Sequence, residues 1–207
     1  MKYIPTPKEV TPPKPEPVAE PKPPVMRPAG ELARESGLIF LTKKFNEESI
    51  TPIVHQIIDL NLQPKDSRPD VIRLYINSPG GEVASAFQLI DTMKYSRIPV
   101  STIATGQAAS CGVLTLMAGV KGKRYITENT AIMSHQYSWG GMGKEHELMG
   151  RIKAFEFSSE RMLNHYKRCT GKSETYIRKH LLSETDHWLS PAEAVRHGIA
   201  DKVLEIY

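Results

Sequence analysis

The sequence predicts an α/β fold built on a largely parallel sheet. Two observations carry this. Short apolar runs rich in β-branched residues alternate with segments whose apolar side chains recur at helical spacing. Twice, such a run passes through a small-residue turn directly into a helical segment. Strand–turn–helix units in succession are the pattern of parallel sheets, where the helix makes the crossover. Sheets of this kind bind ligands at the carboxyl ends of their strands, so chemistry is expected at those turns.

Taken in order, residues 38–41 (Leu-Ile-Phe-Leu) form a short buried strand, and residues 50–60 a helix with apolar Ile53, Val54, Ile57, Ile58 and Leu60. Residues 63–70 are a polar loop punctuated by proline. Residues 71–76 make a β-branched strand that runs into Asn77-Ser78-Pro79-Gly80-Gly81. Val83, Ala86, Phe87, Ile90 and Met93 then mark one face of a helix over residues 82–95. The unit recurs as a strand over 99–104, a turn over 105–109 and a helix over 110–118. Two short strands follow, near 124–127 and 130–134. No repeat of sequence accompanies this rhythm. Residues 141–172 form a long helix with Leu148, Ile152, Phe155, Met162 and Tyr166 on one face and Gly171 as its C-cap. A single helix of that length cannot bury its stripe alone, so the stripe packs on its own domain or on another subunit.

Ahead of all this lies a different composition. Ten of the 16 prolines of the 207-residue chain fall within residues 1–30, a stretch that favours extended polyproline-like conformations and has no core of its own. It reads as a disordered arm or as a segment that folds onto a partner. Residues 31–207 suit one compact domain.

Charge and cysteine usage exclude several classes. Residues 1–30 hold five basic and three acidic side chains, leaving 22 against 20 in the remainder. The net charge of +4 is a thin surplus with no clustered basic stripe, which argues against a nucleic-acid partner. Cys111 and Cys169 make neither a disulfide framework nor a paired metal-ligand motif. The longest apolar stretch, residues 111–120, is broken by Gly112, Thr115 and Gly119 and is far short of the ~20 residues of a membrane span. The first five residues lack the apolar core of a signal peptide. The expectation is a soluble, cytoplasmic protein with no membrane contact.

Four features carry possible chemistry. Ser110, in Gly106-Gln107-Ala108-Ala109-Ser110-Cys111-Gly112, stands where a turn meets a helix among small residues. This is the logic of a nucleophile elbow in an A-x-S-x-G variant, although a serine in such a place, taken alone, is more often an N-cap. Gly80-Gly81 after a buried strand lets backbone N–H groups point at an incoming anion, as an oxyanion hole requires; the plainer alternative is an ordinary turn. His135 ends the strand over 130–134 at the same sheet edge as Ser110, and imidazole takes up a proton near neutral pH. Asp186, in Thr185-Asp186-His187-Trp188-Leu189-Ser190, is the candidate carboxylate to orient the histidine, or else caps a turn.

Taken together, these motifs resemble the proteolytic subunit of the Clp protease. The resemblance rests on Leu74-Tyr75-Ile76-Asn77-Ser78-Pro79-Gly80-Gly81, Gly106-Gln107-Ala108-Ala109-Ser110-Cys111-Gly112, Met133-Ser134-His135-Gln136, and Leu189-Ser190-Pro191-Ala192-Glu193-Ala194 with Gly198-Ile199-Ala200-Asp201. It implies a crotonase-like spiral of strand–strand–helix units with a protruding handle helix. It further implies Ser110 as nucleophile, His135 as general base, Asp186 as orienting acid, and the backbone N–H groups of Gly81 and Cys111 as oxyanion donors. No metal or other cofactor is implied; ATP would be consumed by a partner, a hexameric AAA+ unfoldase. The assembly implied is two stacked seven-membered rings joined through the handle, enclosing a chamber for unfolded polypeptide. Substrate would add as a strand beside the glycine pair and residues 136–141. A bacterial cytoplasm, or that of a bacterium infected by a virus encoding the chain, is the implied setting.

The chain also departs from that family. Cys111 stands where methionine is common, and Tyr137-Ser138-Trp139 replaces the usual proline after the histidine–glutamine pair. Residues 179–184 are longer by two, so Glu184 competes with Asp186 for the acid role. The proline-rich arm occupies the place of the family's axial gate, which bears on pairing with an unfoldase. Two other functions share this fold: an acyl-CoA enzyme using the same oxyanion design, and a catalytically silent ring subunit or scaffold.

Overall fold

The computed structural model describes residues 29–138 and 140–205. The arm assigned to residues 1–30 lies outside the described residues except for its last two, which open the first helix, α1 (Ala29–Glu35). The chain continues as β1 (Leu38–Leu41), α2 (Glu47–Leu62), β2 (Ile72–Ser78), α3 (Val83–Tyr95), β3 (Val100–Ala109) and α4 (Cys111–Ala118). After these come β4 (Arg124–Thr127), β5 (Ala131–Ser134), α5 (Glu145–Thr170), α6 (Glu174–His180), β6 (His187–Leu189), α7 (Pro191–His197) and β7 (Lys202–Leu204).

Strands β1-β2-β3-β4-β7 lie side by side and all run parallel, as strands joined by helical crossovers must. Alternation along β2 sends Ile72, Leu74 and Ile76 into the core beneath the helices, where they are fully buried. Phe40 stacks on Tyr75 with ring centroids 5.2 Å apart, and Phe40 is exposed. Helix α2 starts where Asn46 accepts from the Ser49 N–H at 2.9 Å and Ser49 Oγ accepts from the Asn46 N–H in return.

One expectation is overturned. Residues 105–109 are not a turn: β3 continues through them to Ala109. The strand kinks at Gly106 (φ 65°), where the register against β2 jumps from Ile76↔Ala104 to Ser78↔Ala108. The small residues that read as a turn are a bulge. Its consequence is a change of neighbour, since β3 pairs with β4 before the kink and with β5 after it. β6 then adds antiparallel to β5, so the seven-stranded sheet branches at β3.

The long helix is α5, 26 residues and about 39 Å at 1.5 Å per residue, capped by Gly171. Its stripe divides. Met162, Leu163, His165 and Tyr166 are buried against the chain's own domain, whereas Met149, Ile152 and Phe157 are exposed. Near its end, the buried Arg124 guanidinium holds Asp201 in two hydrogen bonds of 2.6 and 3.0 Å and donates to the carbonyls of Cys169 and Gly198. That one side chain ties β4, α5 and the turn between α7 and β7 together. Partial burial works to raise the Asp201 pKa, but the bonds from Arg124 prevail and hold the carboxyl below its usual range.

Candidate active site

Ser110 is the residue between β3 and α4. It occupies the N-cap position with φ 52° and ψ −116°, and it is the single non-glycine residue with positive φ among the described residues. Such a conformation costs of order 1–3 kcal/mol and persists where the surroundings impose it. Here they do: the Ser110 N–H donates to the Met133 carbonyl of β5 at 2.9 Å, and its own carbonyl accepts from Val113 and Leu114. The hydroxyl makes no capping bond to the helix. It instead meets His135 Nε2 at 2.8 Å.

Register explains the meeting. Ala109 pairs with Met133 across β3 and β5, so the residues just beyond both strands emerge at the same edge. The acid arrives by the same arithmetic. β5 and β6 pair Ser134 with His187, and one step outward places His135 opposite Asp186. His135 Nδ1 lies 3.9 Å from Asp186 Oδ1, an ionic contact longer than a hydrogen bond. The Asp186 side chain is 60% exposed and that of His135 21%. Among the described residues, His135 has no ion pair to Glu184, which is exposed. Of the two acids, Asp186 is the one that stands near the imidazole.

The glycine turn is pressed against the serine. A Cβ on Gly80 (φ 95°) would stand 2.7 Å from the Ser110 Cβ and 3.2 Å from the Cys111 nitrogen, so only glycine permits this approach. Gly81 (φ 146°) bridges Phe45, with Phe45 N–H donating to Gly80 O and Glu82 N–H to Phe45 O. Ser78, fully buried, donates to Lys43 O and accepts from the Gly80 N–H, which fixes the turn from below. Among the described residues, neither the Gly81 nor the Cys111 N–H has a hydrogen-bond acceptor. Cys111 contributes a second link, its thiol donating to the Gly81 carbonyl at 3.2 Å. Burial pushes that thiol up to about 11, so it stays protonated.

Between these groups lies a cavity of about 50 Å³ lined by Val83, Leu114, Met162 and Tyr137 along with the polar residues. Tyr137 packs on Phe155 of α5, ring centroids 5.3 Å apart. Trp139, part of the expected substrate-binding stretch 136–141, lies outside the described residues.

Sequence reasoning named Ser134 only as part of the motif around His135 and residues 179–184 only for their length, and gave neither a part in the site. Their roles depend on strand pairing alone. Among the described residues, no cluster of three or more His, Cys, Asp or Glu side chains is placed to hold a metal ion.

A sheet that brings a strained serine, a histidine and an anion-facing glycine turn to one edge has the layout of a hydrolase performing acyl transfer. The family model of Clp protease matches residues 26–207, and the chain belongs to the Clp protease family. It is therefore of a serine-peptidase family.

Proposed function

We propose that this chain is an active proteolytic subunit that hydrolyses unfolded polypeptides inside an oligomeric chamber. The carrying observation is the 2.8 Å contact of Ser110 Oγ with His135 Nε2 at a strained strand–helix junction. Ser110 attacks the scissile carbonyl as His135 Nε2 takes its proton, and the N–H groups of Gly81 and Cys111 receive the developing oxyanion. The imidazolium returns the proton to the leaving amine. Water then repeats the sequence on the acyl-enzyme. At 3.9 Å, Asp186 acts on His135 by charge; closing by about 1 Å would add the hydrogen bond that selects the reactive tautomer.

The rest of the reading concerns assembly. Residues 31–207 form the peptidase domain, and residues 1–30 an arm. Copies of the chain join in stacked heptameric rings through α5, and an AAA+ unfoldase spends the ATP and delivers substrate. Exposed Met149, Ile152 and Phe157 on α5 support the contact between rings. No helix among the described residues is long and apolar enough to cross a membrane.

A second reading has one observation in its favour. The exposed, distant Asp186 fits a subunit that is catalytically silent and serves as scaffold. Intact mass after treatment with a serine-directed fluorophosphonate separates the two. One adduct on the wild type, absent in Ser110→Ala and much slower in His135→Ala, is the expected result. A folded, ring-forming protein with no adduct would establish the scaffold. Acyl-CoA turnover that survives Ser110→Ala would establish instead the acyl-transfer enzyme of shared oxyanion design.

A further inference from the structure

Asp186 has a single polar contact among the described residues, the one to His135. Its placement is therefore inherited from the segment that carries it, Leu181 to His187. Both ends of that segment are fastened to one residue, Ser134. The fully buried Ser134 hydroxyl donates to the Leu181 carbonyl at 2.6 Å. At the other end, His187 is the β6 partner of Ser134 in the β5–β6 register. A hydroxyl has one proton, and Leu181 O takes it. The 2.7 Å contact of Ser134 with the buried Tyr166 of α5 is thus donated by the tyrosine. Tyr166 OH to Ser134 Oγ to Leu181 O forms a closed relay in which each buried group is satisfied.

A second clip lies within the segment. Ser183 Oγ stands 2.6 Å from His187 Nε2 and donates to Thr185 O at 3.1 Å. The set is consistent when His187 carries its proton on Nε2, donating to Ser183 and leaving the serine proton for Thr185. Thr185 and His187 are the two neighbours of Asp186.

We propose that Ser134 and Ser183 are positioning residues that set Asp186 against His135. This rests on the reading of Asp186 as the orienting acid. Loss of the Ser134 hydroxyl releases the Leu181 end of the segment, and loss of the Ser183 hydroxyl opens the clip between Thr185 and His187; in either case the His187 end stays paired in the sheet while Asp186 loses a constraint that keeps it 3.9 Å from the imidazole. On this proposal both hydroxyls act through Asp186.

The test is a double-mutant cycle on the full-length protein, measuring peptidase kcat and KM together with the fluorophosphonate labelling rate. Asp186→Asn is expected to lower kcat by 100-fold or more. Ser134→Ala is expected to lower it about tenfold and Ser183→Ala about fivefold, with KM unchanged. Ser183→Thr, which keeps the hydroxyl, should restore the rate. In the Asp186→Asn background neither alanine change should cost more than about twofold. Losses that multiply with Asp186→Asn would overturn the proposal while leaving the triad intact. An Asp186→Asn enzyme of full activity would sink the triad reading, and the proposal with it. Ser183 lies in the partly exposed segment, so its variant decides the question even if Ser134→Ala fails to fold.

Discussion

At the scale of single residues, the site depends on backbone more than on side-chain identity. Cys111 shows this. Its expected contribution to the reaction is an N–H, which every residue but proline supplies, and its thiol is buried and held up near 11. We predict that Cys111→Ala slows fluorophosphonate labelling of Ser110 by no more than about threefold, the cost of the lost bond to Gly81 O. We also predict that iodoacetamide leaves native Cys111 unmodified at pH 8, as peptide mapping would reveal. A large loss in the alanine variant would show that the thiol does more than tie Cys111 to Gly81. Ser110 was legible because small residues flank it. The motifs pointed to the pairing of Ser110 with His135, and the fold supplies its geometry: the hydroxyl forgoes the helix cap and stands 2.8 Å from His135 Nε2.

At the scale of elements, α5 is joined to the domain by its last third. His165 donates from Nε2 to the Leu114 carbonyl at 2.9 Å and meets Phe87 edge-on. Burial lowers its pKa to about 4; the bond to Leu114 opposes this, while Lys94 and Arg168 add to it. In the unfolded chain the imidazole titrates near ~6.5. Between these values the unfolded chain binds the extra proton, so stability is complete above about pH 6.5 and declines as the pH falls toward 4. The contribution is about 3 kcal/mol at most, from a pKa displaced by about 2.5. Thermal melts at pH 7 and pH 5 should show a smaller drop for His165→Gln than for the wild type. Equal drops would place the acid sensitivity elsewhere. The relay from Tyr166 through Ser134 to Leu181 leaves the same part of α5, so the base of the handle and the acid segment share one anchorage.

At the scale of the whole molecule, exposed apolar residues occur on several elements, Phe40, Leu62, Tyr95 and Trp188 among them, and α5 carries a further group. On α5, Met149 is 62% exposed, Ile152 42% and Phe157 66%, well beyond the buried base of the helix. Exposed apolar side chains along the first two thirds of a long helix call for a cover. Replacing Ile152 and Phe157 together with aspartate should halve the assembly mass in native mass spectrometry, as stacked rings separate. The melting temperature of the dissociated subunit should stay within a few degrees. An unchanged assembly mass would show that copies of the chain do not join through these residues.

The sequence by itself determined the alternation of strand and helix, the long helix with its stripe, the glycine turn and the serine and histidine at strand ends. Local chemistry suffices for these: apolar periodicity selects the element, and small residues permit close approach. It could not separate Glu184 from Asp186, nor tell a bulge from a turn at residues 105–109. Both questions belong to pairing between strands distant in the chain. The β5–β6 register puts Asp186 opposite His135, and a shift of one residue would have turned a different side chain to the histidine. Likewise, the kink at Gly106 is defined only by the neighbours that β3 has before and after it. Tertiary structure alone decided which part of the stripe on α5 is core and which part is left for a partner, because burial is a property of what packs against a face and not of the face.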